Sequence, residues 1–332
     1  MQPIIVRKHR TMNDIFDLPK YVQSAKDTLS DDLDTKIPAK QVDRNILIAT
    51  WNIRAFGNYT DKWNSTSSDS PRRDKQSIVF IAEIISRFDV IAVQEVKANI
   101  SALKMVMTYL GDDWSFVLTD VTQGASGNGE RIAYIFDTRR VQLSGLASEL
   151  VVPKEELNKI DKDALTEQFA RTPYAVSFKA GKKSFILVTL HILYGKKKED
   201  RVPELKAIAN WLSDWGKNSN VYDQNLIALG DFNIDKRGDL LHDTFISSGL
   251  FIPPDMHTVT RSIFDETKFY DHIAWFNDDK GSSKLSLQYI RGGNYDFVDK
   301  TIYRAPLTKH ELSWRISDHY PLWAEFSARD GE

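Results

Sequence analysis

The sequence predicts a mixed α/β (α+β) domain over residues 45–328, preceded by an N-terminal extension of residues 1–44. Three observations predict it. Uncharged apolar runs of strand length recur from Ile46 to Phe326, amphipathic segments of helix length lie between several of them, and no repeat, low-complexity tract or Pro/Gly/Ser linker divides the chain. At 332 residues and 42% hydrophobic composition there is enough apolar material for a large core.

The extension is polar and charged, and a peripheral helix is expected from Met12 to Leu29, interrupted at Leu18-Pro19. The core opens with the strand Ile46–Trp51, ends in Asn52, and turns at Arg54-Ala55-Phe56-Gly57 into a polar loop from Asn58 to Lys75. Gln76–Phe88 has the wide apolar face of a packed helix (Ile78, Ile81, Ala82, Ile85). The strand Asp89–Gln94 ends in Glu95, and a helix follows from Ile100 to Leu110. Trp114–Leu118 is a strand, Gln123–Gly129 a Gly-rich loop, and Arg131–Phe136 a strand preceded by Glu130. Residues 147–170 are charged and read as an insertion, helical from Pro153.

Tyr174–Phe178 and Ser184–Leu190 form a hairpin across Ala180-Gly181-Lys182-Lys183, and the second strand ends in His191. The loop Lys196-Lys197-Lys198 leads to a helix from Arg201 to Trp215. The apolar run Leu226-Ile227-Ala228-Leu229 then delivers Gly230-Asp231-Phe232-Asn233. If that strand continues, Asp231 and Asn233 share a face; Asp and Asn also simply favour turns after strands. A helix is expected at Asp239–Ser248, and Asp271-His272 and Asp318-His319 precede the last two core strands.

Charge and composition narrow the function. A formal net charge of −2 gives no global field toward nucleic acid or membrane, so a polyanion would have to meet local basic patches such as Lys196–Lys198 with Lys182 and Lys183. The chain has no cysteine, which excludes thiolate metal sites, cysteine nucleophiles and disulfides and leans toward a reducing compartment. The N-terminus lacks the apolar core of a signal peptide, and no apolar run approaches the ~20 residues that span a bilayer. A cytoplasmic protein is the expectation. No Gly-Lys-Ser/Thr follows the Gly-rich loop, no Gly-x-Ser-x-Gly elbow is present, and there is no His-Glu-x-x-His pair.

Strand ends therefore carry Asn52, Glu95, His191, Asp231 with Asn233, Asp271, and Asp318-His319. Each alone is an ordinary loop residue. Together they are hard oxygen donors and two imidazoles, a set suited to Mg²⁺, Mn²⁺ or Ca²⁺ and to phosphoester hydrolysis by an activated water.

Trp51-Asn52-Ile53-Arg54-Ala55-Phe56-Gly57, Gln94-Glu95-Val96-Lys97, Leu190-His191, Gly230-Asp231-Phe232-Asn233, Tyr270-Asp271-His272-Ile273 and Ser317-Asp318-His319-Tyr320-Pro321 occur in the order of the endonuclease/exonuclease/phosphatase superfamily, and the chain resembles its DNase I-like branch over residues 45–327. The resemblance implies a four-layer sandwich, two mostly antiparallel sheets packed face to face with helices outside. It implies Mg²⁺ (Mn²⁺ substituting) on Asn52 and Glu95 with Asp318 nearby. Asp231 and Asn233 would hold the water and the scissile phosphate, Asp271 would orient His319 and Glu130 would orient His191, with either His319 or Asp231 taking the water's proton. Arg54, Lys97 and Arg171 would meet substrate, and the partner would be nucleic acid, DNA before RNA.

The chain departs from that branch at Lys97, where an arginine usually stands, at Asn128 in place of a tyrosine, and at His272 in place of an arginine. His9, His242, His257 and His310 lie outside the motifs and read as surface or structural residues. Two other readings compete: a phosphatase or phospholipase of the same superfamily acting on phosphoinositide or sphingomyelin, and a binding module with a dead site. Retention of all the named ligands argues against the second. Inositol phosphatases usually carry Asp-Arg where this chain has Asp271-His272, which argues against the first.

Overall fold

The computed structural model describes residues 17–122, 129–150, 171–192, 194, 197–217, 225–277 and 283–329. The expected helix from Pro153, most of the Gln123–Gly129 loop with Asn128, Lys196 and His9 lie outside the described residues.

Strand β1 (Asn45–Phe56) is buried on both faces and shows how the layers form. Its side chains alternate: Ile46 and Ile48 enter the core between the sheets, while Leu47, Ala49, Trp51 and Ile53 enter a second core beneath the outer helices. That second core is closed by α1 (Lys20–Lys36), α2 (Lys75–Ile85) and α3 (Ser101–Leu110). The sheet containing β1 has six strands. Beside β1 lie β2 (Val90–Lys97), β4 (Glu130–Asp137) and β3 (Trp114–Leu118) on one flank, β12 (Leu322–Ser327) and β11 (Gln288–Asn294) on the other. The facing sheet also has six: β5 (Gln142–Glu149), β6 (Tyr174–Ala180), β7 (Lys183–His191), β8 (Leu226–Asp231), β10 (Asp271–Phe276) and β9 (Leu250–Phe251). Helices α4 (Val202–Lys217) and α5 (Leu240–Ile246) contribute Leu205, Ala209, Leu212, Leu241 and Phe245 to its core. A further helix, α6 (Lys309–Arg315), precedes β12.

Each sheet is antiparallel except for one central parallel pair, β1 with β2 and β7 with β8. Parallel partners end at the same edge of a sheet, so Asn52 stands opposite Gln94, and His191 opposite Asp231. On the other side of β8, Asp231 stands opposite Asp271. Gln94 ties the sheets together just below this edge, its amide donating to Thr50 Oγ1 at 3.1 Å and across the core to Thr189 Oγ1 at 2.9 Å.

Several expectations need correction. Beyond the expected break at Leu18-Pro19 the N-terminal helix runs from Lys20 to Lys36 rather than ending at Leu29, and Met12 to Phe16 lie outside the described residues. Pro19 begins it because a fixed φ suits a helix entrance, and Val22, Ala25, Leu29 and Leu33 are fully or nearly buried. Strand β1 does not end at Asn52 but passes through a bulge against β2, with Ala55 and Glu95 in the left-handed region at φ 45° and 59°. Residues 147–149 belong to β5, a strand whose residues are mostly exposed, so it carries no apolar alternation to announce it. Strand β11 was likewise hidden, by Gly292-Gly293. The Lys182-Lys183 turn sits at the far end of β7, about 26 Å of extended strand from His191, so it is not beside the site edge.

Candidate active site

Asp231 is the centre. It is 2% exposed, and both carboxylate oxygens are directed by neighbours. Oδ1 accepts from the Asn233 backbone amide at 2.9 Å. Oδ2 accepts from Asn52 Nδ2 at 3.0 Å and faces two imidazoles, His191 Nε2 at 3.7 Å and His319 Nε2 at 4.0 Å. The strand ends at Asp231, so Asn233 does not share its face by pleating as the sequence suggested. A turn with Asn233 at φ 50° brings the two residues together, and the Asn233 side-chain amide donates to the Ile192 carbonyl at 2.6 Å.

Each imidazole has its own carboxylate behind it. Asp271 Oδ2 lies 2.8 Å from His319 Nδ1, and Glu130 Oε2 lies 3.3 Å from His191 Nδ1. Glu130 is buried and carries two further cations, Arg171 Nε at 2.5 Å and Lys97 Nζ at 2.8 Å. Burial alone would raise its carboxyl, but His191, Arg171 and Lys97 outweigh that and hold it far below the usual carboxylate range. Burial opposes charging of His319 too, yet Asp271, Asp231 and Asp318 raise it to about 10. Burial pushes Asp271 up to about 6, against the pull of His319. Asp231 ends below its ordinary value, because His319 and His191, with the Asn52 amide, overcome its burial. At neutral pH this edge therefore holds an imidazolium at His319 and an ionised Asp231.

The oxygen donors lie on the neighbouring side. Asn52 Nδ2 also reaches Glu95 Oε1 at 3.2 Å, and Glu95 Oε2 accepts from the Ala55 amide at 2.8 Å. The bulge aims both groups, turning the Ala55 N–H and the Glu95 side chain toward each other. Asn52 Oδ1 is buried with no hydrogen-bond partner in the structure, which leaves a hard oxygen donor available to a cation. Asp318 is partly exposed, with Arg54 Nη1 3.7 Å from Oδ2. Asp231, Asp271 and His319 also place one ligand atom each within 4.8 Å of one another. A protonated His319 has no lone pair to offer, so that trio fits a proton-handling unit better than a metal cage.

The structure thus gathers Asn52, Glu95, Glu130, His191, Asp231, Asn233, Asp271 and His319 at one edge, with Lys97 and Arg171 behind Glu130 and Arg54 beside Asp318. His272 is different. It is fully buried among Phe232, Phe245 and Phe269, on the opposite face from Asp271, and burial pushes its imidazole well below the ordinary value. His242 joins the same aromatic cluster through Phe269 and His257.

Sequence reasoning missed the residues that fix the frame. Gln94 and Thr189 link the sheets. Ser317 Oγ donates to the Asn52 carbonyl at 2.6 Å and accepts from the His319 amide at 3.1 Å. Arg73, 2% exposed, donates to four backbone carbonyls, and no signal in the polar loop before α2 marked it. The Ser317 position in its motif was the one available clue.

A model of the endonuclease/exonuclease/phosphatase family matches residues 49–319. The chain belongs to the endonuclease/exonuclease/phosphatase family. A deoxyribonuclease of Thioalkalivibrio sp. (strain K90mix) is 28% identical over 204 residues, which is 59% of this chain and 48% of that protein, so this chain spans about half the length of that relative. Deoxyribonuclease-1 of Canis lupus familiaris is 25% identical over 283 residues, covering 83% of this chain and 89% of that protein. Among solved structures, the mannosyl-6-phosphatase of Bacteroides thetaiotaomicron superposes with a TM-score of 0.56 at 21% identity, covering 85% of this chain and 99% of that one, which shows the shared fold. The family is hydrolytic and typically depends on a divalent metal. Among the described residues, no helix is long and apolar enough to cross a membrane.

Proposed function

We propose that this member of the endonuclease/exonuclease/phosphatase family is a Mg²⁺-dependent phosphodiesterase that hydrolyses DNA. One observation carries the reading: two imidazoles, each backed by its own carboxylate, converge on one oxygen of an ionised Asp231. Relatives named as deoxyribonucleases support DNA as the substrate.

Glu95, Asn52 through Oδ1, and Asp318 would hold the cation. Mg²⁺, or Mn²⁺ in its place, would supply Lewis-acid stabilisation of the charge that develops on the phosphoryl oxygens. The chain's own residues handle the protons. Asp231 accepts a proton as water attacks phosphorus, and the His319 imidazolium gives one to the departing ester oxygen as the P–O bond breaks. Asp271 pairs with Nδ1 of the His319 imidazolium and so points its Nε2–H at the reacting phosphate, and Glu130, 3.3 Å from His191 Nδ1, orients the second ring. Asn233 fixes the turn that aims Asp231, and Lys97 and Arg171 keep positive charge beside His191 for a phosphate backbone.

The test is incubation with supercoiled plasmid, single-stranded DNA, RNA, a phosphoinositide and mannose 6-phosphate, with Mg²⁺ and with EDTA. Cleavage of DNA that stops on chelation is expected. Undiminished hydrolysis after chelation and dialysis would remove the metal from the mechanism, and turnover of a phosphomonoester alone would replace the nuclease by a phosphatase.

A further inference from the structure

At the rim of the site, Trp314 on α6 keeps 39% of its surface exposed while its neighbours Leu312, Ser313 and Arg315 are buried. Its indole is not loose. The Arg54 guanidinium lies over the ring, 3.8 Å from the centroid. Arg54 Nη1 donates to Ser313 Oγ at 2.7 Å and stands 3.7 Å from Asp318 Oδ2. The stack is therefore one side chain away from a residue of the catalytic edge.

The backbone under both halves of the stack is locked by one buried group. Arg73 Nε donates to the Arg315 carbonyl at 3.0 Å and Nη2 to the Ile316 carbonyl at 3.1 Å. From the same guanidinium, Nη2 also reaches the Arg54 carbonyl at 2.6 Å and Nη1 the Ala55 carbonyl at 3.0 Å. The tip of β1 and the end of α6 are thus held as one piece. The product is a pre-ordered stack of guanidinium on indole, with a positive charge, beside the place where the phosphate is to be cut.

We propose that the Trp314–Arg54 stack is a platform for an unpaired nucleobase flanking the scissile phosphate, and that single-stranded or frayed nucleic acid is the preferred substrate. This rests on the phosphodiesterase reading above. Bases stack on aromatic rings and on arginine planes with little regard to sequence. A base inside an intact duplex already has both faces covered by its neighbours and cannot reach the ledge. Lys97 is drawn onto Glu130 at 2.8 Å.

The test is fluorescence anisotropy in EDTA, where binding is read without hydrolysis. Three probes of equal length are used: a single DNA strand, its duplex, and a strand of abasic residues. Wild type should bind the base-bearing strand most tightly. Trp314→Ala should weaken that strand on the order of tenfold, the effect of losing one stacked base, and leave the abasic strand nearly unchanged. Trp314→Phe should keep most of the affinity, and Trp314→Leu, which keeps apolar bulk, should behave like Trp314→Ala if that variant melts early. An equal loss on the abasic strand, no loss on any probe, or equal wild-type affinity for strand and duplex would overturn the platform. If wild type neither binds nor cleaves nucleic acid, the nuclease reading fails and takes the platform with it. If wild type cleaves DNA and the Trp314 variants show no base-selective loss, the platform alone fails.

Discussion

The two sheets present the same device with different cargo. In each, a single parallel pair sits in the middle of an antiparallel sheet and ends at the site. The β7–β8 pair keeps its register to the last residue, so His191 and Asp231 emerge side by side, and Asp271 joins them across the next ladder. The β1–β2 pair breaks register between Asn52 and Phe56 and places Ala55 and Glu95 in the left-handed region. Residues without that freedom spend about 1–3 kcal/mol there. Under the proposed function, the groups assigned to proton transfer can thus be delivered by regular strands, because a carboxylate and an imidazole need only adjacency. Converging oxygens on one point needs the backbone itself to be re-aimed.

If the division is real, damage to the two halves should look different. The largest effect is expected where His319, carried on the segment before β12, reaches across to Asp271 of the facing sheet. His319→Ala should lower single-turnover cleavage by about 10²–10⁴-fold, and Asp271→Asn by a comparable or somewhat smaller factor. The double variant should be hardly worse than His319→Ala, since the pair acts as one unit. Multiplying losses, in chains that circular dichroism shows to be folded, would break the dyad.

The same pair has a signature in stability. His319 is raised to about 10 in the folded chain, against about 6.5 when unfolded. Its stabilising contribution is full below about 6.5 and disappears as pH rises through about 10. Denaturant unfolding of wild type and His319→Gln should therefore converge over that window, and a constant gap across it would contradict the charged pair.

In the first half, Glu95→Gln should shift the Mg²⁺ concentration needed for activity by an order of magnitude or more, on the scale of losing a charged ligand, while leaving the pH profile in place. Titrating Mg²⁺ and pH on Glu95→Gln and Asp271→Asn separates the two halves. Identical shifts in both variables would merge them.

Gln94 tests whether the halves depend on each other. Gln94→Leu strips the partners from two buried hydroxyls, Thr50 and Thr189, and should cost about 1–3 kcal/mol in urea unfolding. A stability change within error would mean that the sheets are held in register by packing alone. The smallest effect is expected at Lys97. Lys97→Ala should weaken DNA binding a few-fold and reduce the slope of log affinity against log salt by about one. An unchanged slope would confine Lys97 to its bridge with Glu130.

The difference between the halves also explains what the sequence made legible. Asn52, Glu95, His191 and Asp231 each follow an apolar run, Asp271 and His319 each precede one, and that placement alone marks strand ends that can share an edge. The ladder register then does the rest for His191, Asp231 and Asp271. The bulge was not legible, because no glycine marks Ala55 or Glu95 and the conformation is imposed by neighbours, including Arg73, whose partners are all main-chain carbonyls. Main-chain partners leave no trace in side-chain pattern. The edge strands β5 and β11 were missed for a related reason, since neither shows a continuous apolar face. The N-terminal helix was ended too early, at Leu29, because its buried stripe at Val22, Ala25, Leu29 and Leu33 runs through a highly charged segment.

Gly230 has a consequence for how this site can vary. Its φ is 140°, and a methyl group there would come within 2.1 Å of the Leu190 carbonyl oxygen on the adjoining strand. Main chain cannot swing aside as a flexible side chain can, so accommodation would prise β7 from β8 at the level of His191 and Asp231. Substitutions at the surrounding positions trade off gradually: a poorer turn, a weaker pair, a slower step. Position 230 offers no such slope. In a saturation library it should tolerate glycine alone, and any lineage that loses this residue loses the spacing of His191 and Asp231 in one step, with no partial form to select from.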